Sequence, residues 1–383
     1  MTLCLADQAT RARMSKESKY RSNLGVLRFL LALWVFLAHT VPWYAVVNQH
    51  KLPVIGKVMA LLRKLQSNGE LHPAVVGFLV LSGYVISSSF PMARQVPALK
   101  IKAWAIRRFF RIYPIYLLGI VFGLIFWTLS KSNPLNINLS STDHLNAGCI
   151  AAKTTLISAL TPFGYPNCAL QGNSPLITAA AEMLLYAIYG LIIIWLTKRR
   201  FAFMFQSIFI LWFGLTILTG YLGSTHPNYV AFWIHGSPLN YLLPWWLGVL
   251  LIQKFPNHNF LNFLKLALPA FILGAIWALT RHHFNTNASQ KFVMVELNLL
   301  FLSLAFACLI YLLELAPQLP KAIAKVENLG YALYALHAPL SLYLLFSHCS
   351  YLEIVLINLV VVIAAYAIIE KPLREFGRKL SKI

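Results

Sequence analysis

The sequence predicts an all-α fold: a polytopic bundle of transmembrane helices, with about ten spans and both termini in the cytoplasm. Three observations carry that expectation. Of 383 residues, 59% are hydrophobic and only 11% are charged, against about 25% charged in an ordinary soluble domain. Mean hydropathy is +0.67. The apolar residues form long runs instead of alternating strictly, which favours helices. Too little polar surface exists to cover soluble domains of this size, and bulky apolar residues exclude disorder.

The spans are read in order, each an apolar run long enough to cross or nearly cross a bilayer. The first, about 24–47, contains LGVLRFLLALWVFLAHT. The second, 74–90, contains GFLVLSGYVISS, and the third, 103–130, opens with AWAIRRFFRIYPIYLL. The fourth, 175–197, carries SPLITAAAEMLLYAIYGL. Runs at 201–222, 238–253 and 260–280 follow, then 292–314, 328–347 and 352–370.

Orientation follows from basic charge. The formal net charge is +21, with 32 Lys and Arg against 11 Asp and Glu. On a soluble chain this would suggest nucleic acid. Here the basic residues lie in short clusters between apolar runs, so no nucleic-acid partner is expected. With ten spans, 23 of the 32 fall on the side of the termini and 8 on the other, and Arg28 lies inside the first span. Such asymmetry places both termini in the cytoplasm. Residues 1–23 are then a basic cytoplasmic tail, 24–370 the membrane domain and 371–383 a second basic tail.

Two outer loops are long, 48–73 and 131–174. Long loops in compact membrane proteins are often functional. Cys149 and Cys168 share the second loop. In an oxidising compartment they could close it as a disulfide, worth about 3 kcal/mol; paired and free states both stand open. No CxxC or HExxH pattern occurs, so no metal is expected.

Ionisable groups inside spans point to function, because burying a central Arg, Lys or Asp costs about 2.5–3.5 kcal/mol. Arg28 and His39 are 11 residues apart in the first span. At 100° per residue that closes three turns, so they share a stripe about 16.5 Å apart along the axis. Arg28 alone reads equally as a snorkelling arginine, and His39 alone as an interfacial histidine. Together on one stripe they favour function. Arg108 and Arg111 are three residues apart on one helix face, while Arg107 points elsewhere. Two guanidiniums at a helix mouth can grip phosphate, although spacing alone fits ordinary positive-inside charge. Glu182, in the fourth span, needs a partner in an apolar setting. It is expected to meet His39 as orienter of a general base; pairing with an arginine is the other reading. His337 precedes Pro339 in the ninth span. Lining the same cavity and bonding to a backbone carbonyl are equally consistent with its position.

These pieces, in this order, resemble the acyltransferase-3 family of integral membrane acyltransferases. Arg28 to His39 is similar to its R-x10-H signature. GFLVLSGYVISS, with Ser82, Gly83 and Tyr84, resembles its FFxLSGF/Y segment. Arg108, Arg111 and Pro114 match R-x-x-R-x-x-P. Glu182 and Tyr186 resemble SxExxFY, Tyr334 and His337 resemble LGxxSYxLYLxH, and Glu370, Lys371 and Pro372 match a terminal EKP. The departures are Gly25, where the family often has Asp, Ala180 in place of Ser and Leu185 in place of Phe. The chain ends 13 residues after Glu370, which leads to the expectation of a stand-alone member lacking the esterase-like domain that many relatives carry.

The resemblance implies transfer of an acyl group, usually acetyl, from cytoplasmic acyl-CoA to a hydroxyl of a carbohydrate or glycolipid acceptor. Lipopolysaccharide O-antigen and exopolysaccharide are examples. Acetyl-CoA would be a donor substrate, with no permanently bound cofactor. It further implies Arg28, Arg108 and Arg111 at the CoA phosphates, and His39 with Glu182 in catalysis. His39 would be a general base or would carry the acyl group itself. Ser82, Tyr84, Tyr186, Tyr334 and His337 would line the cavity. The compartment would be a bacterial inner membrane. A secondary transporter predicts two pseudo-symmetric halves with interrupted helices, and none are evident. A glycan-lipid flippase usually has more spans and no phosphate clamp beside a deep histidine.

Overall fold

The computed structural model describes residues 22–48, 57, 72–89, 98–130, 154, 173, 175–195, 203, 206–215, 217–218, 238–254, 268–269, 272, 275–276 and 288–382. Among these there is no strand. A bilayer offers no water to backbone N–H and C=O groups, so helices satisfy them internally. The longer helices are α1 (Ser22–Asn48), α2 (Pro73–Ser89), α3 (Ala98–Ser130), α4 (Leu176–Trp195), α5 (Pro238–Lys254) and α6 (Ala288–Leu315). A short α7 (Lys321–Ala324) leads into α8 (Glu327–Phe346) and α9 (Tyr351–Ala365). A π turn (Tyr366–Glu370) then joins α10 (Lys371–Leu380).

Among the described residues, five helical stretches are long and apolar enough to cross a membrane: Asn23–Ala45, Lys100–Phe126, Leu297–Leu315, Ala322–Phe346 and Tyr351–Leu380. Shorter apolar helices lie at Pro73–Ser88, Leu176–Leu191, Gln206–Leu215 and Tyr241–Leu251. The protein is therefore an all-helical, multi-helix membrane protein.

Two helix ends differ from the sequence expectation. The third helix starts at Ala98, so the basic stretch from Lys100 to Arg111 is helical throughout. The C-terminal segment, expected only as a basic tail, is helical as α10. Pro372 has no N–H to return to an earlier carbonyl, and the widened π turn ends two residues before it, at Glu370. Past that turn, α10 packs on α3: a Cβ at Gly377 would sit 2.6 Å from Phe110 Cβ, and the Phe110 and Phe376 rings meet edge to face at 5.3 Å.

Glycines set the closest crossings. On α2, a Cβ at Gly83 would lie 1.9 Å from Trp245 O, and on α5 a Cβ at Gly248 would lie 2.0 Å from Val80 O. The two backbones touch reciprocally, as membrane helices do where small residues meet. Pro339 sits inside α8 and leaves the Ala335 carbonyl without its helical donor. Asn173 supplies one: its Nδ2 donates to Ala335 O at 3.0 Å and to Gly119 O at 2.8 Å, tying α8 to α3. Elsewhere in the same 131–174 segment, Thr154 O accepts from Tyr113 Oη at 2.8 Å.

The most enclosed of the five stretches is the one containing α8. It runs parallel to α1, with Glu327 beside Gly25 at one end and His337 beside His39 at the other.

Candidate active site

Side chains collect at two levels along α1. At the level of His39, α8 presents His337, which is fully buried. His337 Nδ1 lies 2.9 Å from Leu333 O and 3.0 Å from Tyr334 O. Carbonyl oxygens only accept, so Nδ1 carries the proton and Nε2 of the neutral ring is an acceptor. His337 Nε2 is 3.0 Å from His39 Nδ1. His39 therefore donates from Nδ1 and keeps a lone pair on Nε2. The two imidazoles lie within 10° of parallel with centroids 5.3 Å apart, an edge-to-edge arrangement that suits an in-plane hydrogen bond. Trp43, one turn above, lies parallel to His39 at 5.2 Å. Phe36 packs edge-on against His337 at 5.9 Å. Aromatic walls thus flank both rings.

At the level of Arg28, the polar group is larger. Ser82 Oγ donates to Glu182 Oε1 at 2.6 Å, and the Tyr186 hydroxyl donates to the same oxygen. Ser82 and Tyr186 hydroxyls are 2.7 Å apart. Arg108 lies over the Tyr186 ring, its Cζ 5.8 Å from the centroid. Arg28 feels the charges of Arg111, Glu182 and Glu327, and Arg108 those of Arg111, Arg28 and Glu182. The π turn and α10 add Glu370 and Arg374, joined at 3.3 Å, with Arg111 in electrostatic reach of both. Three arginines from α1 and α3 thus share one neighbourhood with carboxylates from α4, α8 and the π turn. Arg107 points away, to Ser381 Oγ at 3.2 Å.

The structure does not bring Glu182 to His39. The carboxylate stands with the arginines, held by Ser82 and Tyr186, and His337 is the group hydrogen-bonded to His39. The reason lies in the side chains of α2 and α4: Tyr186 is one turn after Glu182 on the same face, and Ser82 meets both. Tyr334 stands between the levels. Its ring is 6.5 Å from His337 and meets Phe78 edge-on at 5.3 Å, and it is in electrostatic reach of Glu182. Tyr84 is buried where α2 crosses α5, its N 2.8 Å from a Cβ built at Gly248. Cys149 and Cys168 lie outside the described residues. Among the described residues, no cluster of three His, Cys, Asp or Glu is placed to hold a metal.

Sequence reasoning missed His72, Glu327 and the Glu370–Arg374 pair. His72 precedes α2 and accepts from Ala74 N–H at Nδ1, 3.2 Å away. Its ring meets Trp34 edge-on at 5.5 Å. Burial, with the neighbouring His39, holds its imidazole down to about 3. The signal available was its place at the same end of the second span as His39 in the first.

Helices suited to a bilayer, an aromatic-walled imidazole pair and an arginine–carboxylate cluster define an integral membrane protein with a polar interior site. A family model described as an acyltransferase domain, that of the acyltransferase-3 family, matches residues 21–369. The chain belongs to this family and is a membrane acyltransferase. No curated protein and no solved structure matches it.

Proposed function

We propose that the protein moves an acyl group, in the first instance acetyl, from cytoplasmic acyl-CoA to a hydroxyl of a carbohydrate-containing acceptor such as a cell-surface polysaccharide. In this reading the chain crosses a bacterial inner membrane ten times, with both termini in the cytoplasm. The reading rests above all on the His39 Nδ1 to His337 Nε2 contact of 3.0 Å. It leaves His39 Nε2 as an acceptor at a fixed place, about 16.5 Å along α1 from Arg28.

The arginine level takes the phosphates of CoA. Arg28, Arg108 and Arg111 supply the positive charge, and guanidinium geometry suits phosphate oxygens. Glu182 is proposed to act in catalysis from this level, holding the arginines in register while Ser82 and Tyr186 fix its own carboxylate. The pantetheine arm then carries the thioester along the stripe, past Tyr334, toward His39.

Two routes use the same lone pair. In direct transfer, the acceptor oxygen bonds to the thioester carbonyl carbon as Nε2 takes the hydroxyl proton; the C–S bond breaks and the proton passes to the CoA sulfur. In stepwise transfer, Nε2 bonds to the acyl carbon and the CoA thiolate leaves. The acceptor oxygen then displaces the imidazole, releasing its proton as the thiolate takes one up. A stepwise route also joins a donor on one side of the membrane to an acceptor on the other.

Thermal unfolding of the purified protein with acetyl-CoA tests the donor, since a ligand at 100 times its Kd stabilises by about 2.7 kcal/mol. NMR of surface polysaccharide from a deletion strain tests the acceptor. A raised Tm and lost O-acetyl signals are expected. No shift in Tm and an unchanged polysaccharide would contradict the reading.

A further inference from the structure

An arginine in a bilayer-spanning helix needs a counter-charge held at a fixed place. Arg28 has Arg111 as a repelling neighbour and Glu182 and Glu327 as attracting ones. Glu182 has one carboxylate oxygen committed to Ser82 and Tyr186. Glu327 acts on Arg28 electrostatically from a different element, the first turn of α8, and its position relative to α1 is unusual. A Cβ built on Gly25 would lie 1.9 Å from Glu327 Oε2, 2.8 Å from its Cδ and 2.9 Å from its Cβ. The glutamate side chain therefore occupies, from root to tip, the volume that a side chain at position 25 would take. Position 25 is three residues before Arg28, on the same face of α1.

The surroundings hold that arrangement in place. Asn23 anchors the start of α1: its Nδ2 donates to Leu313 O at 2.9 Å and Pro317 O at 3.1 Å, and its Oδ1 accepts from Leu319 N–H at 2.9 Å. Gly330 lets α8 approach Phe29 Cα, at 3.3 Å from a built Cβ. The residue after Glu327 is tied to α10, where Arg374 Nη1 donates to Asn328 Oδ1 at 3.2 Å. The Glu327 side chain thus lies between α8 and α1, one residue from the tie to α10.

We infer that Glu327 is the positioning residue of Arg28: its carboxylate, lodged against Gly25, holds the guanidinium for the acyl-CoA phosphates, and an acid moved to position 25 does the same work. This rests on the acyl-CoA reading above, and the test separates the two.

Four variants are compared with the parent for acyl-CoA KM, kcat and Tm: E327G, G25D, G25D/E327G and G25N/E327G. Glycine at 327 is used because even the Glu327 Cβ would crowd a side chain at 25. E327G should raise acyl-CoA KM by about tenfold or more, in line with loss of one partner of a buried charge pair, with kcat less affected. G25D alone should lower Tm and activity, since two acids compete for one volume. G25D/E327G should recover KM to within about threefold of the parent, with a Tm above that of either single variant. G25N/E327G, of equal volume but uncharged, should not recover KM. Parent-like KM in E327G, or equal rescue by Asn and Asp, would overturn the inference and leave Glu327 a packing role. If the parent itself responds to no acyl-CoA, the functional reading falls. The Tm cycle then decides alone: additive single effects would overturn the relocation, and a Tm of G25D/E327G above both singles would uphold it.

Discussion

The two levels of the α1 stripe differ in kind. Around Arg28, charged and hydroxyl groups converge from α1, α2, α3, α4, α8, the π turn and α10, and their fields overlap. At the level of His39 the neighbours are rings: Trp43 and His337 against His39, Phe36 against His337, and His72 in electrostatic reach, with one imidazole–imidazole hydrogen bond. A crowded set of mutually balanced charges can accept a polyanion without one decisive contact. A hydrogen-bonded imidazole pair among rings offers one lone pair of defined direction. In the proposed function, binding falls to one level and proton or acyl handling to the other, and α1 and α8 are the two parallel rods that set their separation.

Replacing His337 should break the contrast most deeply. In His337→Ala, His39 loses the acceptor that fixes its tautomer, so kcat should fall by about 10² or more, the lower range for general base catalysis, while acyl-CoA KM stays near that of the parent. A raised KM with intact kcat would place His337 at the wrong level. Arg111→Ala should do the reverse, raising acyl-CoA KM about tenfold, the equivalent of about 1.4 kcal/mol, with kcat at saturating donor changed little. Unchanged dependence on acyl-CoA would remove the phosphate role. Ser82→Ala takes one hydroxyl donor from the Glu182 carboxylate. Since a hydrogen bond to a charged group is worth about 1.5–3 kcal/mol, it should lower Tm by a few degrees, with a smaller rise in KM than Arg111→Ala. No change in either would show that Tyr186 alone suffices.

What the sequence made legible is what depends on local period and composition. Apolar runs marked the helices, and an 11-residue interval put Arg28 and His39 on one stripe. Contacts between elements distant in sequence were not legible. His39 and His337 are 298 residues apart, and no periodicity relates them; either role read for His337 fitted its position, and its two nitrogens serve both a carbonyl and the site. Glu182 was readable as a carboxylate in need of a partner. Choosing between an imidazole and the arginines required the side chains of α2. Residues 371–383 read only as a basic tail, whereas Lys371–Leu380 continue as a helix past the π turn. Gly25 read as a local departure, and its reason, a glutamate from α8 filling its volume, lies 302 positions further along the chain.

The most direct measurement is made on His39→Ala, purified and assayed beside the parent for thermal protection by acetyl-CoA and for acetyl transfer to the acceptor. The account predicts that protection persists while transfer is lost, because the arginine level is untouched and the Nε2 lone pair is gone. Normal transfer by His39→Ala at normal protein level would contradict it.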